Sequence, residues 1–555
     1  MRVLLLADVG LQDGLLHVGD EAMFEVAVGE LRARGAQLDA LSTTPDETRA
    51  RYGLDACEAR IDFSAARVPR LDDREDRLDR ILRTAQGSTG LLTWDDPAWA
   101  VIQAVSHADA VLIAGGGNLN SQWPEHVYER AALGALAALF SKPLVVTGQT
   151  LGPELTGRDG ELVSELLKSA RLVGTREARS LRVASELGAT RAALTLDDAV
   201  FLADPPTIPD SHAISGDYVL ATFAPYSGST PTEAFVARIA HFLDEVVDVT
   251  GLEVVLLPHQ ASVLPEETVG DAALHARIVE AGRSGRLRAL PVAGPAVSAA
   301  LARRAALSIS TRYHPAVFAL GGSVPSLTFS VDEYTDVKLG GNAANFGVAD
   351  SAMSAVGLAT DDARDTLRAT WASRARISEH LARGDAARRA ASETWWSAVF
   401  EALSGGTPPL PAAEPAEPLE WLDAELRARA TSLREWVRAE GRDRVGAAIA
   451  NRASIEERRR LEAALEEAEV QIGELSGELD VAEQRAVEAE AALAAAHHLM
   501  ASISEPLFER TLRQISPPSV EAELIALRNT RTFRWSQGLR GVYARARGRR
   551  GRAQD

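Results

Sequence analysis

Over roughly the first four hundred residues, short unbroken apolar runs alternate with stretches whose apolar residues recur every three or four positions. The runs Val3–Ala7, Ala110–Ala114, Leu144–Thr147, Leu172–Gly174, Tyr218–Phe223, Glu253–Leu257, Leu307–Ser310 and Ser326–Phe329 predict β-strands. A strand that is apolar throughout is buried on both faces, as in a parallel sheet covered by helices. Residues 20–34 place Met23, Val26, Ala27 and Leu31 on one helical stripe. Residues 177–187 do the same with Ala178, Leu181, Ala184 and Leu187, and Gly188 follows as a stop. Such alternation predicts an α/β fold with helices on both faces of parallel sheets.

Three prolines in Asp204-Pro205-Pro206-Thr207-Ile208-Pro209-Asp210 predict a linker. It divides an α/β domain over 1–204 from a second over 213–350, with a ligand cleft expected where the two face each other. Residues 351–405 read as helices packing back across both domains.

The pattern changes at Gly405-Gly406-Thr407-Pro408-Pro409-Leu410-Pro411, a second linker. A helical stretch over about 417–450 follows, within a helical or coiled-coil region over 417–505. Leu465, Ile472, Leu479, Ala486, Leu493 and Met500 recur every seven residues, and Leu461, Ala468, Leu475, Ala482, Ala489 and Ala496 precede each by four. This heptad seam predicts either self-association as a coiled coil or packing on the chain's own helix 417–450. Alanines weaken its C-terminal half, because they bury little apolar area. The tail 506–555 is basic and aromatic: Arg528–Arg552 holds nine arginines and no acid, with Phe533, Trp535, Leu539 and Tyr543 interleaved. It reads either as a peripheral contact with an anionic membrane surface or as a solvated arginine tail.

Composition narrows the classes. Lys+Arg 59 against Asp+Glu 78 gives a net charge of −19 over 555 residues, which argues against nucleic-acid binding. The single Cys57 excludes intrachain disulfides and zinc or redox CxxC sites, and points to the cytoplasm. No apolar run approaches the ~18–20 residues that span a bilayer. The first residues are too short an apolar run, ended by Asp8, for a signal peptide. No metal-ligand spacing, GxSxG elbow or P-loop is present, so no metal and no cofactor are expected.

Chemistry concentrates at four turns. In His17-Val18-Gly19-Asp20-Glu21-Ala22, Asp20 either caps the helix or accepts hydrogen bonds from a sugar hydroxyl. In Ala114-Gly115-Gly116-Gly117-Asn118-Leu119, Gly115, Gly116 and Gly117 either cradle an anion with backbone N–H groups or form a bare turn. Trp94, Trp99 and Trp123 flank this region as sugar-stacking or core residues. Arg176 at a helix start opposes the helix dipole, so either an anionic ligand or a carboxylate such as Glu177 holds it. In Ser310-Thr311-Arg312-Tyr313-His314-Pro315, Arg312 and His314 stand two apart on a turn, pointing the same way if extended. Arg312 suits a carboxylate or phosphate, and His314 suits proton donation. Lys338 is expected as a solvated surface lysine among acids, the anion contact being the alternative, and His259 ends a strand within reach of the cleft.

These motifs, with Gly148-Gln149-Thr150-Leu151-Gly152-Pro153 and Leu257-Pro258-His259, occur in the order seen in polysaccharide pyruvyl transferases, and residues 1–350 resemble that family. The resemblance implies two Rossmann-like domains in a GT-B-like arrangement, phosphoenolpyruvate as donor, and a glycan or glycolipid acceptor that becomes a pyruvate ketal. It implies that Arg176 and Arg312 hold the donor's carboxylate and phosphate and that His314 is the catalytic acid; from their own chemistry Gly115, Gly116, Gly117 and Lys338 are the further donor-binding candidates. Asp20, Asn118 and His259 fall on the acceptor side. The chain departs from the family at His17, where Asn is usual, and at Asp197-Asp198-Ala199-Val200-Phe201, where Asp-Pro-Ala-Phe is usual. The tail's Arg-Asn-Thr-Arg-Thr-Phe-Arg-Trp run resembles the ends of some bacterial cell-envelope glycosyltransferases. The competing readings are a GT-B glycosyltransferase using a nucleotide sugar and a non-catalytic scaffold at a membrane surface.

Overall fold

The computed structural model describes residues 1–501 except 65, 66, 69, 70, 265 and 412–415, together with residue 522. The rest of the basic tail, 506–555, lies outside the described residues. Met1–Asn451 form one compact unit, and the residues from Arg452 onward a second.

Within the first unit, eight parallel strands make one sheet. Its order is Ala56–Ala59, Gln37–Ser42, Arg2–Leu6, Ala110–Ile113, Leu144–Leu151, Leu172–Thr175 and Ala192–Leu194, with Gly116–Leu119 paired to the far end of Leu144–Leu151. Val3 sits between Leu38 and Ala110, so the first strand is central. Ala110–Ile113, Leu144–Leu151 and Leu172–Thr175 are buried at every position, which is why they read as continuous apolar runs. Six further parallel strands form a second sheet, in the order Leu287–Ala289, Glu253–Leu256, Tyr218–Thr222, Leu307–Ser310, Ser326–Ser330 and Ala352–Ser354. The proline-rich stretch 204–210 runs irregularly between the two sheets.

Helix Asp385–Leu403 closes one face of the first sheet, burying Trp395, Trp396 and Val399 in a cluster with Val3, Leu5 and Leu112. Helix Asp362–Arg383 serves the second: Ala363 and Leu367 pack with Phe329 and Leu256, and Ile377 and Leu381 with Leu220 and Phe318.

All eight predicted strands are present, within a few residues of their expected ends. The sequence pattern misses the other strands, of three to six residues, nearly all with polar or glycine positions; Ala192–Leu194 is missed for its shortness alone. Two of these matter for function. Leu15–His17 and Gln260–Ser262 pair antiparallel, with His17 opposite Gln260, and so tie the two halves together at one point. The first helix begins at Val18, earlier than expected, and His17 is its N-cap residue.

Helix Ala424–Ala501 runs 78 residues. The expected internal partner of the seam, 417–450, is thus from residue 424 the earlier part of the same helix. Leu461, Leu465, Ile472 and Leu475 of the seam are exposed, at 61%, 53%, 41% and 49%. No helix among the described residues is long and apolar enough to cross a membrane.

Candidate active site

The carboxyl ends of the strands in both sheets border one cleft of about 550 Å³. This is where open parallel sheets present ligands, because the connecting loops there can carry side chains without disturbing the core. Asp20, Gly117, Asn118, Arg176, His259, Arg312, His314 and Lys338 all line it.

Arg176 follows strand Leu172–Thr175, and Glu177 is the N-cap of the next helix. Arg176 is therefore not the helix-start cation expected. It is 2% exposed. Its Nε donates to Thr150 Oγ1 at 2.8 Å and its Nη1 to Asp197 Oδ2 at 2.8 Å, while Glu177 stands off at 4.0 Å. Its guanidinium also lies 4.4 Å over the ring of Tyr313. Asp197 is fixed in turn by the Ala199 N–H, at 2.9 Å.

Arg312 is the N-cap residue of helix Tyr313–Gly321, so His314 belongs to that helix's first turn rather than to an extended segment. The two face the cleft from different supports. Arg312 donates to both oxygens of the buried Asp271, at 3.1 and 2.5 Å, and to Gln260 Oε1 at 2.6 Å. Asp271 also accepts from the backbone N–H of His259 and Gln260, each at 3.0 Å. The expected free two-pronged fork is thus already engaged on its Nε–Nη2 edge. The cleft holds cations compensated from behind by Asp197 and Asp271, rather than a bare positive patch.

His314 has an unpartnered Nε2, 3.7 Å from Asp197 Oδ1. Burial drives its pKa down to about 4, against the opposing pull of Asp197. The ring packs edge-on to Tyr313 and directly over Gly19, where any Cβ would collide with it. His259 has neither ring nitrogen partnered, and burial, then His314, push its pKa well below the ordinary value.

Lys338 corrects the surface-lysine expectation. It lies in helix Glu333–Asn345, with its ammonium 3.8 Å over the ring of Tyr334 and 5.9 Å from that of Tyr313. Burial, then Arg176, lower its pKa to about 7. A sequence signal for it existed: Lys142, Lys168 and Lys338 are the three lysines in a chain with 59 Lys and Arg residues.

Asp20 makes no cap hydrogen bond and faces the cleft, 3.7 Å from His17 Nδ1. Gly116 and Gly117 of the glycine run form strand rather than turn. Only Gly117 lines the cleft, and a Cβ there would strike the Tyr334 hydroxyl and lie 3.2 Å from Arg176 Nη2. Gly115 and Gly116 lie beneath, against Met23, Asp198 and Gln149. Trp123 lines the cleft, its ring 5.0 Å from that of Tyr334, whereas Trp94 is 93% exposed and the Trp99 indole donates to Thr93.

Under Asn118, Asp8, His126 and Glu129 come within 4.8 Å of one another. Arg60 and Arg130 already pair with Asp8, at 2.9 and 2.6 Å, and keep its pKa well below the ordinary value despite burial. Two guanidinium groups in that place compete with any metal ion for the same oxygens.

No curated protein sequence matches the chain. Among solved structures, Staphylococcus aureus MnaA with UDP is 11% identical, covering 76% of this chain and 100% of its own, with a TM-score of 0.46. Anabaena Alr3699/HepE, in complex with UDP and glucose, is 14% identical over 73% of this chain and 100% of its own, with a TM-score of 0.45. The model of the family Polysaccharide pyruvyl transferase matches residues 17–333, a span that holds the His17 turn, Arg176, Arg312 and His314 and ends at the first residue of helix Glu333–Asn345. The chain belongs to the polysaccharide pyruvyl transferase family.

Proposed function

We propose that this protein transfers pyruvate from phosphoenolpyruvate to two hydroxyls of a sugar, in a cell-envelope polysaccharide or glycolipid, as a ketal. In this reading residues 1–204 and 213–350 are the two lobes of a GT-B-like arrangement, and the reaction runs in the cleft at their strand ends. The observation that carries it is the convergence of Arg176, Arg312, Lys338 and His314 on one cleft in a chain of this family.

Phosphoenolpyruvate carries a carboxylate and a phosphate. Arg176, Arg312 and Lys338 supply the cations, while Asp197 and Asp271 hold the two arginines in place before the ligand arrives. The anion brings negative charge beside His314 and Lys338 and raises both proton affinities. Protonated His314 then gives its proton to the donor methylene carbon, and positive charge develops on the adjacent carbon. One acceptor hydroxyl adds there, the carbon–phosphate oxygen bond breaks, and a second hydroxyl closes the ketal. Of the two hydroxyl protons, one returns to His314 and the other leaves with phosphate. Asp20, Asn118 and His259 border the acceptor side.

General acid catalysis of this kind is worth about 10²–10⁴ in rate. His314→Ala should lower kcat by that factor while phosphoenolpyruvate still binds, measured by phosphate release and calorimetry. Wild-type turnover in that variant would refute the role. Release of a nucleoside diphosphate from a nucleotide sugar, with no phosphate from phosphoenolpyruvate, would establish the glycosyltransferase reading instead.

A further inference from the structure

The first part of helix Ala424–Ala501 lies outside the family match, and it grips the segment that carries Tyr334 and Lys338, which begins where that match ends. Arg434 donates to Asp336, at 2.7 Å through Nε and 3.3 Å through Nη2, and Arg438 reaches the same carboxylate. Arg442 meets both oxygens of Glu333, at 3.0 and 2.8 Å. Arg444 donates to the Tyr226 hydroxyl at 3.0 Å, and Tyr226 itself lines the cleft. Arg434, Arg438 and Arg442 recur four and eight apart, on one helical face. Asp336 is 1% exposed, so its two guanidinium partners neutralise a charge that has no access to water.

The backbone fits as closely as the charges. Gly441 is buried against the cleft segment, and a Cβ there would stand 2.9 Å from Asp332 Cβ and 2.9 Å from the Glu333 amide nitrogen. Gly340, on the opposing helix, makes room for the Arg434 guanidinium in the same way. Two glycines facing partners across one contact allow the helices to approach to a fixed depth.

We propose that the face of this helix from Arg434 to Arg444 is a positioning element of the cleft, setting where Tyr334 and Lys338 stand toward its occupant. The arginines touch neither donor nor acceptor in this role. They hold the first turns of helix Glu333–Asn345, whose inner side bears the two cleft residues. The inference concerns the cleft itself and does not rest on phosphoenolpyruvate as donor.

Lys338 offers a direct readout, because the groups facing it are specific to its place: Arg176, Arg312, His314, Asp20, Asp332 and Glu177, with the rings of Tyr313 and Tyr334. The full chain is reductively methylated across a pH series, and peptide mass spectrometry follows Lys142, Lys168 and Lys338 separately. Gly441→Leu wedges the helix away without changing charge. It should move the Lys338 profile up by about one pH unit or more, a fall of about fivefold or more in reactivity at pH ~7, and leave Lys142 and Lys168 where they were. Arg434→Lys/Arg438→Lys conserves charge, loses the planar contacts, and should act in the same direction; it carries the test if Gly441→Leu does not fold. A folded variant of either kind whose Lys338 profile coincides with wild type, or lies below it, overturns the proposal. Because no donor is added, that failure is distinct from a failure to bind or turn over phosphoenolpyruvate.

Discussion

Burial lowers the His314 pKa to about 4, so in the proposed reaction the acid would be created by ligand binding. Binding of phosphoenolpyruvate at neutral pH should therefore take up protons, through His314 and through Lys338 near its own midpoint. Calorimetry in buffers of different ionisation enthalpy measures this; binding without proton uptake would contradict the charge arrangement. Stability carries the same sign. His259, His275 and His314 all bind protons less readily when folded than the ~6.5 of an unfolded histidine. Between pH ~6.5 and about 4, the unfolded chain takes up protons that the folded chain refuses, so stability falls as pH falls through that window. The thermal midpoint should drop across it, and a level midpoint would count against buried neutral histidines. At Gly19, alanine would push its methyl group into the His314 ring. Gly19→Ala should reduce kcat/KM by about tenfold or more, since displacing a catalytic group by about 1 Å costs up to 10²-fold. The sequence made the place of Arg176, Arg312 and His314 legible, because strand ends in open parallel sheets face the cleft, which all three line. It hid Asp197 and Asp271, whose roles depend on contacts 21 and 41 residues away.

Among the elements, buried parallel strands were legible because each is apolar on both faces. Gln37–Ser42 and Gly116–Leu119 were not, the first carrying Asp39 and the second two glycines and Asn118. The pairing of Leu15–His17 with Gln260–Ser262 brings together residues more than 240 apart in sequence, and no local periodicity records it. That short ladder delivers His17 and Gln260 to the cleft. Helix Asp385–Leu403 bears on the cleft in the same indirect way: the Trp395 ring fills the space over Gly174, two residues before Arg176. Trp395→Ala should lower stability by about 3–5 kcal/mol, as cavity-forming aromatic deletions in cores do, read from denaturant unfolding. A loss below about 1 kcal/mol would show that the helix does not hold the sheet.

For the molecule as a whole, the net charge of −19 coexists with a cleft in which a few cations are fixed by buried carboxylates, as the proposed binding of an anionic donor requires. Beyond residue 451, the exposed leucine and isoleucine seam of helix Ala424–Ala501 is expected to pair with a second copy of the chain, since an apolar heptad stripe in water favours burial against its like. Leu465→Glu/Ile472→Glu/Leu475→Glu should convert an oligomer to a monomer in sedimentation. A wild-type chain that sediments as a monomer at micromolar concentration would remove that expectation.

The most direct test of the central claim is mass spectrometry of envelope glycans incubated with the protein and phosphoenolpyruvate, with released phosphate assayed in parallel. The account predicts the mass gain of a pyruvate ketal and one phosphate per ketal, both abolished in His314→Ala. Glycans that stay unmodified while phosphoenolpyruvate is left intact, across acceptors from the cell envelope, would contradict it.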